Sequence, residues 1–214
     1  MWYSILSKVL LCPNHSKYFS LFLLIRRNIH AKHSDCIRKY NLCRASDRRL
    51  AKFENLFPIP RGVSYNAYVI LDEKTALLDT ADASVGAQFL ENVAAALDGR
   101  KLDYLIVDHM EPDHATMIEA VLVRWPDLRL VVNAKTLPML KMYFPTDSAA
   151  FDDALVVKEG DTLDLGKHKL TFVMAPMVHW PEVMMTFDTT TGTLFSADAF
   201  GTFGAWRVPC SLMR

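Results

Sequence analysis

His109-Met110-Glu111-Pro112-Asp113-His114 places four metal-capable side chains within six residues. The run follows an apolar stretch, residues 102–107, that reads as a short buried strand. Loops at strand ends hold chemically active groups on a rigid base. From positions i, i+2, i+4 and i+5 of such a loop, side chains can diverge toward two neighbouring points. Imidazole plus carboxylate suits non-haem iron, manganese or zinc, and the lack of thiolate argues against a soft-metal or iron–sulfur site. Pro112 stiffens the turn and lowers the entropy lost when a metal binds.

Two more strand ends carry similar groups. His179 lies in Ala175-Pro-Met-Val-His179-Trp180-Pro181-Glu182, after a strand ending at Met174. Asp198 lies in Leu194-Phe-Ser-Ala-Asp198, directly after another strand. Taken singly, either residue reads as a cap or turn. Three strand ends that all offer ligands point to convergence on one edge of the sheets. His168, in a hairpin turn beside Lys167 and Lys169, reads as a solvated side chain. His15, His30 and His33 receive no role.

Around these segments the pattern is mixed α/β. Residues 65–72 and 75–79 read as paired strands. Residues 84–97 carry Val85, Phe89, Val93 and Leu97 at helical spacing and stop at Gly99. Residues 108–114 read as loop, 115–124 as helix, 128–133 as strand and 135–143 as helix. Residues 162–165 and 169–174 form one expected hairpin, and 183–188 with 193–196 another. The layout is one of sheets sandwiched by helices.

The 214 residues have a formal net charge of zero, which hides an asymmetry. Residues 1–50 hold ten Lys/Arg against two acidic residues, a balance of +8. Residues 51–214 hold fourteen against twenty-two, a balance of −8. An acidic body disfavours nucleic acid as a partner. The four cysteines, Cys12, Cys36, Cys43 and Cys210, show no C-x-x-C spacing, so no disulfide framework or cysteine zinc site is expected. A reducing, cytoplasmic setting follows. The longest apolar run near the start, residues 19–25, is too short for a bilayer, which needs about 20 residues. The sequence divides into a basic segment, 1–45, and a domain, 46–214. The basic segment can be read as non-native residues ahead of the domain, as a targeting or membrane-touching segment, or as genuine structure. The tail, 207–214, reads as a domain cut short.

The H-x-E-x-D-H signature, with a later loop His and an Asp after a strand, resembles the flavodiiron proteins, or A-type flavoproteins. The resemblance runs from about Ser46 to Gly204 and includes residues 55–66 (NLFPIPRGVSYN) and Asp79-Thr80. The wider metallo-β-lactamase superfamily, including zinc hydrolases such as glyoxalase II, has H-x-H-x-D-H. Glu111 stands where the second His would be. A carboxylate there adds charge and a hard oxygen donor, which shifts preference from zinc toward iron.

The resemblance implies a metallo-β-lactamase-like αββα sandwich, α/β (α+β) in class and C-terminally incomplete, with a di-iron centre. His109, Glu111 and His179 would bind one iron, Asp113 and His114 the other, and Asp198 would bridge them. A further His beyond Asp198 and a C-terminal flavodoxin-like domain holding FMN belong to the family pattern and are not in this chain. The family's head-to-tail homodimer sets FMN beside the partner's irons, where Trp180 could form part of the wall. The implied chemistry is reduction of O2 to water or of nitric oxide to nitrous oxide, with rubredoxin or a flavin reductase as electron donor. Three alternatives remain open at this point. They are a zinc-dependent hydrolase, a flavin-less di-iron oxygen-binding or sensing domain, and an inert fragment.

Overall fold

The computed structural model describes residues 40–144 and 149–205. The apolar run 19–25, Cys12, Cys36, Cys210, His15, His30, His33 and the tail 207–214 lie outside the described residues. In chain order the strands are β1 (Asn41–Leu42), β2 (Ala45–Asp47), β3 (Lys52–Phe53), β4 (Phe57–Pro58), β5 (Val63–Tyr65), β6 (Tyr68–Leu71) and β7 (Thr75–Leu78). They continue with β8 (Tyr104–Ile106), β9 (Arg129–Asn133), β10 (Leu155–Val157), β11 (Thr162–Asp164), β12 (Lys169–Met174), β13 (Met184–Asp188) and β14 (Thr193–Phe195). The helices are α1 (Gly86–Leu97), α2 (Pro112–Ala115), α3 (Ile118–Arg124), α4 (Thr136–Tyr143) and α5 (Ala149–Asp152).

A six-stranded sheet has the order β1-β6-β7-β8-β9-β10, and a four-stranded sheet the order β11-β12-β13-β14. In the first, β7, β8, β9 and β10 run parallel, while β1, β6 and β7 alternate in direction. The second is antiparallel throughout. Side-chain alternation at period two decides the layering. Leu77, Leu105, Leu130 and Val132 face one way and pack with Phe89, Val93 and Leu97 of α1, Ile118 and Val121 of α3, and Leu140 of α4. Ala76, Leu78, Ile106 and Val131 face the other way and meet Leu163, Leu170, Phe172, Met184 and Phe195 of the second sheet. Each large side chain so buried contributes about 1.5–3 kcal/mol.

The outer face of the small sheet carries a third cluster: Ala175, Val183, Met185 and Ala199, with Val173, Val178, Trp180 and Leu194 beside it. No helical residue belongs to it. Among the described residues the sandwich therefore shows helix, sheet and sheet, with helices on one outer face. No helix of these residues is long and apolar enough to cross a membrane.

Several local features differ from the sequence expectation. Asn41 and Leu42 pair with Val69 and Tyr68, Cys43 N–H donates to the Ala67 carbonyl at 2.8 Å, and Tyr40, Cys43 and Ala45 are buried. Residues 40–45, assigned by the sequence reading to the basic segment ahead of residue 46, thus pack with the described fold. Gly99 was the expected helix stop, yet Asp98 already takes the left-handed cap at φ 48°. His168 is not solvated. Its side chain is 18% exposed, and its Nδ1 lies 2.6 Å from Oδ2 of Asp188, which has no exposed surface. Tyr40 donates its hydroxyl to the same oxygen at 2.6 Å.

Candidate metal centre

The centre is assembled at strand ends. β8 leads through Val107 and Asp108 into the ligand-rich run, whose Met110 is wholly buried and anchors it in the core. Glu111 precedes α2 with extended backbone, and Pro112 occupies the first helical positions. A proline there has the right φ and gives up no needed N–H. Asp113 and His114 therefore sit on a helical turn, not on the loop expected to extend through 114. His179 lies on the loop joining β12 to β13, and Asp198 follows β14.

All six expected residues come together. His109, Glu111, His179 and Asp198 offer one ligand atom each within 4.8 Å of one another, and so do Asp113, His114 and Asp198. Asp198 belongs to both sets. The Oε2 of Glu111 stands 3.1 Å from His109 Nε2 and 2.7 Å from His179 Nε2. Asp198 Oδ1 is 2.9 Å from His114 Nε2, and its Oδ2 is 3.4 Å from His179 Nε2. His109 is fully buried, while the His179 and Asp198 side chains are 42% and 36% exposed. The site is thus closed on the sheet side and open beside His179. Trp180, half-buried, sets its ring edge-on to His109 at 5.4 Å between centroids.

Behind the candidate ligands lie carboxylates that the sequence reading did not single out. Glu182 accepts from His109 Nδ1 at 2.8 Å and from the Met110 N–H at 3.1 Å. Asp79 accepts from His114 Nδ1 at 3.0 Å and from the Asp108 N–H at 2.8 Å. Both arrangements fix the imidazole tautomer so that Nε2 faces the centre, which is the usual support for a metal-bound histidine. Asp108 is in turn held by the Thr186 hydroxyl at 2.8 Å. Asp79 sits at a strand end and Glu182 three residues after His179, so both carried a positional signal that spacing alone could not rank.

The electrostatics describe a site that holds protons where cations fit. Hydrogen bonds to Asp198 and Glu111 push the His179 imidazole up to about 10. Burial pushes the Asp113 carboxyl up to about 7, against the attraction of His114. Burial would raise Asp198 as well, but bonds from His114 and His179 outweigh it and hold this carboxyl far below its ordinary range. His109 is raised because its bonds to Glu111 and Glu182 exceed the effect of burial. Two structural observations fit a metal pair independently of these shifts. The Nε2 atoms of His109 and His179 face each other at 3.4 Å, and the buried Oδ1 of Asp113 has no hydrogen-bond partner. An orphaned buried oxygen is satisfied by a cation, and ring nitrogens brought this close can share one once their protons leave.

Residues 63–211 match the family described as ODP family beta lactamase. The chain belongs to that family. Its relatives carry flavoprotein names. It is 41% identical over 153 residues to a protein of Thermosynechococcus vestitus described as diflavin flavoprotein A 1, covering 70% of this chain and 26% of that one. It is 40% identical over 142 residues to the anaerobic nitric oxide reductase flavorubredoxin of Citrobacter koseri, covering 66% of this chain and 29% of that one. The rubredoxin:oxygen oxidoreductase of Desulfovibrio gigas superposes with a TM-score of 0.74 at 30% identity, over 82% of this chain and 45% of that one. The ODP-type domain seen here matches that of solved flavodiiron proteins, among them the one from Giardia intestinalis, with a TM-score of 0.74 at 27% identity over 80% of this chain and 41% of that one, and the chain spans between about a quarter and a half of these relatives' lengths.

Proposed function

We propose that this domain binds two iron ions and serves a flavodiiron-type oxidoreductase that reduces O2 to water or nitric oxide to nitrous oxide. The single observation that carries the reading is Asp198, which joins the two ligand sets formed by His109, Glu111 and His179 and by Asp113 and His114. A shared carboxylate is what a two-metal centre requires, and Glu111 adds the hard donor that favours iron. The names of the relatives, a nitric oxide reductase and an oxygen oxidoreductase, support the redox reading.

When bound, two ferrous ions would supply electrons to a small diatomic substrate and polarise it. The chain's own contribution is positional. Glu182 and Asp79 hold two imidazoles in one tautomer. Buried His109 and Met110 exclude water from the sheet side. The exposed edge at His179 admits the substrate. Trp180 forms the rim beside it, where FMN of a partner subunit would approach in a head-to-tail homodimer. Rubredoxin or a flavin reductase would provide electrons, in a cytoplasmic setting.

The test is anaerobic reconstitution of the chain joined to its flavin-bearing part, followed by exposure to O2 or NO. Iron-dependent consumption of either gas is expected. Turnover of a thioester or β-lactam by the zinc-loaded protein, without gas consumption, would replace this reading by a hydrolase. Reversible O2 binding without net turnover would point to a flavin-less oxygen-binding role.

A further inference from the structure

One buried amide ties the loop of His179 and Glu182 to the six-stranded sheet. Asn133 ends β9 and is buried. Its Oδ1 accepts from the N–H groups of Lys135 and Thr136 at 2.8 and 3.0 Å, and its Nδ2 donates to the Glu182 carbonyl at 2.6 Å. Two donors on one side and a carbonyl on the other allow the amide a single orientation. The bonds to Oδ1 hold the turn into α4, a role suited to asparagine. The bond from Nδ2 reaches a segment that mostly closes on itself. The N–H groups of Ala175, Met177 and Val178 donate to the carbonyls of Val183, Trp180 and Ala175 at 2.9, 2.7 and 3.1 Å. Lys135 adds a bond from Nζ to the Pro181 carbonyl at 3.0 Å. The residue that Asn133 grips is also the one whose Oε1 receives His109 Nδ1 at 2.8 Å. His109 follows β8, the neighbour of β9, whereas the loop joins β12 to β13 of the other sheet. Ligands drawn from both sheets must be held to within about 0.5 Å of their working geometry.

We propose that Asn133 is a positioning residue of the metal centre. It acts through the Glu182 main chain, setting the loop so that His179 and the Glu182-supported His109 meet, and it couples that loop to the start of α4. The inference rests on the metal-centre reading above.

The experiment compares the full 214-residue chain with Asn133→Asp and Asn133→Ser. Aspartate keeps the size of the side chain and the oxygen that holds the turn into α4, but it offers the Glu182 carbonyl no donor. Serine can still hold the turn, is neutral and is too short to reach that carbonyl, so it decides the matter if the buried charge of Asn133→Asp prevents folding. Leu140→Ala, which truncates a wholly buried side chain of α4, controls for lost stability alone. Hydrogen exchange of the metal-free proteins reads the loop, and cobalt(II) titration under argon against a chelator reads affinity and the visible bands that report ligand geometry. In the Asn133 variants the Met177 and Val183 amides should exchange roughly tenfold faster relative to those of α1. Cobalt should bind them about tenfold more weakly, with altered bands, whereas Leu140→Ala should keep the wild-type bands. Wild-type cobalt affinity and bands in the Asn133 variants would overturn the proposal and leave Asn133 a clamp of the fold, with the metal centre intact. The same spectral change in Leu140→Ala would overturn it too, as an effect of stability. Failure of the wild-type chain to take up any cobalt would remove the metal-centre reading and this role together.

Discussion

His109 donates from Nδ1 to Oε1 of Glu182 at 2.8 Å, and neither side chain has any exposed surface. The pair spans from the β8 end to the β12–β13 loop and aims Nε2 at the centre. Replacing Glu182 by Ala would leave His109 Nδ1 and the Met110 N–H without their acceptor. We expect metal affinity to fall about ten- to a hundredfold, with stability lower by about 1–3 kcal/mol for the unmet buried donors. Glu182→Gln keeps an acceptor and should lose less. Chelator competition and denaturant titration read the two effects separately, and equal affinities in all three proteins would refute the supporting role.

Asp198 belongs to both candidate ligand sets. Asp198→Ala should therefore abolish stoichiometric binding of both ions, whereas His179→Ala should spare the set of Asp113, His114 and Asp198. Metal analysis after anaerobic loading with ferrous iron is expected to give about two, none and one ion per chain for wild type, Asp198→Ala and His179→Ala. Two ions in Asp198→Ala would show that the centre is not joined through this carboxylate.

Protons and cations compete for the same atoms. The His179 imidazole, raised to about 10 by Asp198 and Glu111, is protonated at neutral pH in the metal-free protein. The Asp113 carboxyl, raised to about 7 by burial, is partly so. Metal uptake must displace these protons, so affinity should rise from pH 6 to pH 9. Calorimetry in buffers of different ionisation enthalpy should record at least one proton released near pH 8. Affinity that is flat or falls over this range would contradict the assigned ligands.

At the opposite end of β13, Asp188 sits below the ordinary carboxylate value. Burial alone would raise it, but bonds from Tyr40 and His168 overcome that. A depressed carboxyl stabilises the fold when ionised, so its contribution is present above about pH 4 and disappears as pH falls through the lower folded value. Tyr40→Phe removes one donor to this buried charge and should cost about 1.5–3 kcal/mol at pH 7, with a smaller difference at pH 3. Urea titrations at the two pH values check this. A cost that is equal or larger at pH 3 would show that the hydroxyl does not serve the ionised carboxylate.

Much of the site was legible because its residues are local. His109, Glu111, Asp113 and His114 lie within six positions, and His179 and Asp198 each follow an apolar strand. The helix carrying Phe89, Val93 and Leu97 was equally plain, since a 3.6-residue period survives any context. Strands of two or three residues, such as β1 at Asn41–Leu42, have too few positions to show a period. The role of His168 depended on Asp188, twenty residues away and buried, so its lysine neighbours misled.

The sequence alone thus determined the candidate ligand types, their strand-end placement and the two-sheet layout, because hydrophobic period and donor chemistry are local properties. The tertiary structure decided the rest. It set Asp79 and Glu182 behind the imidazoles and placed Asp198 between the two candidate sets. Those are distances between residues far apart in the chain, and only the packing of one sheet against the other sets them.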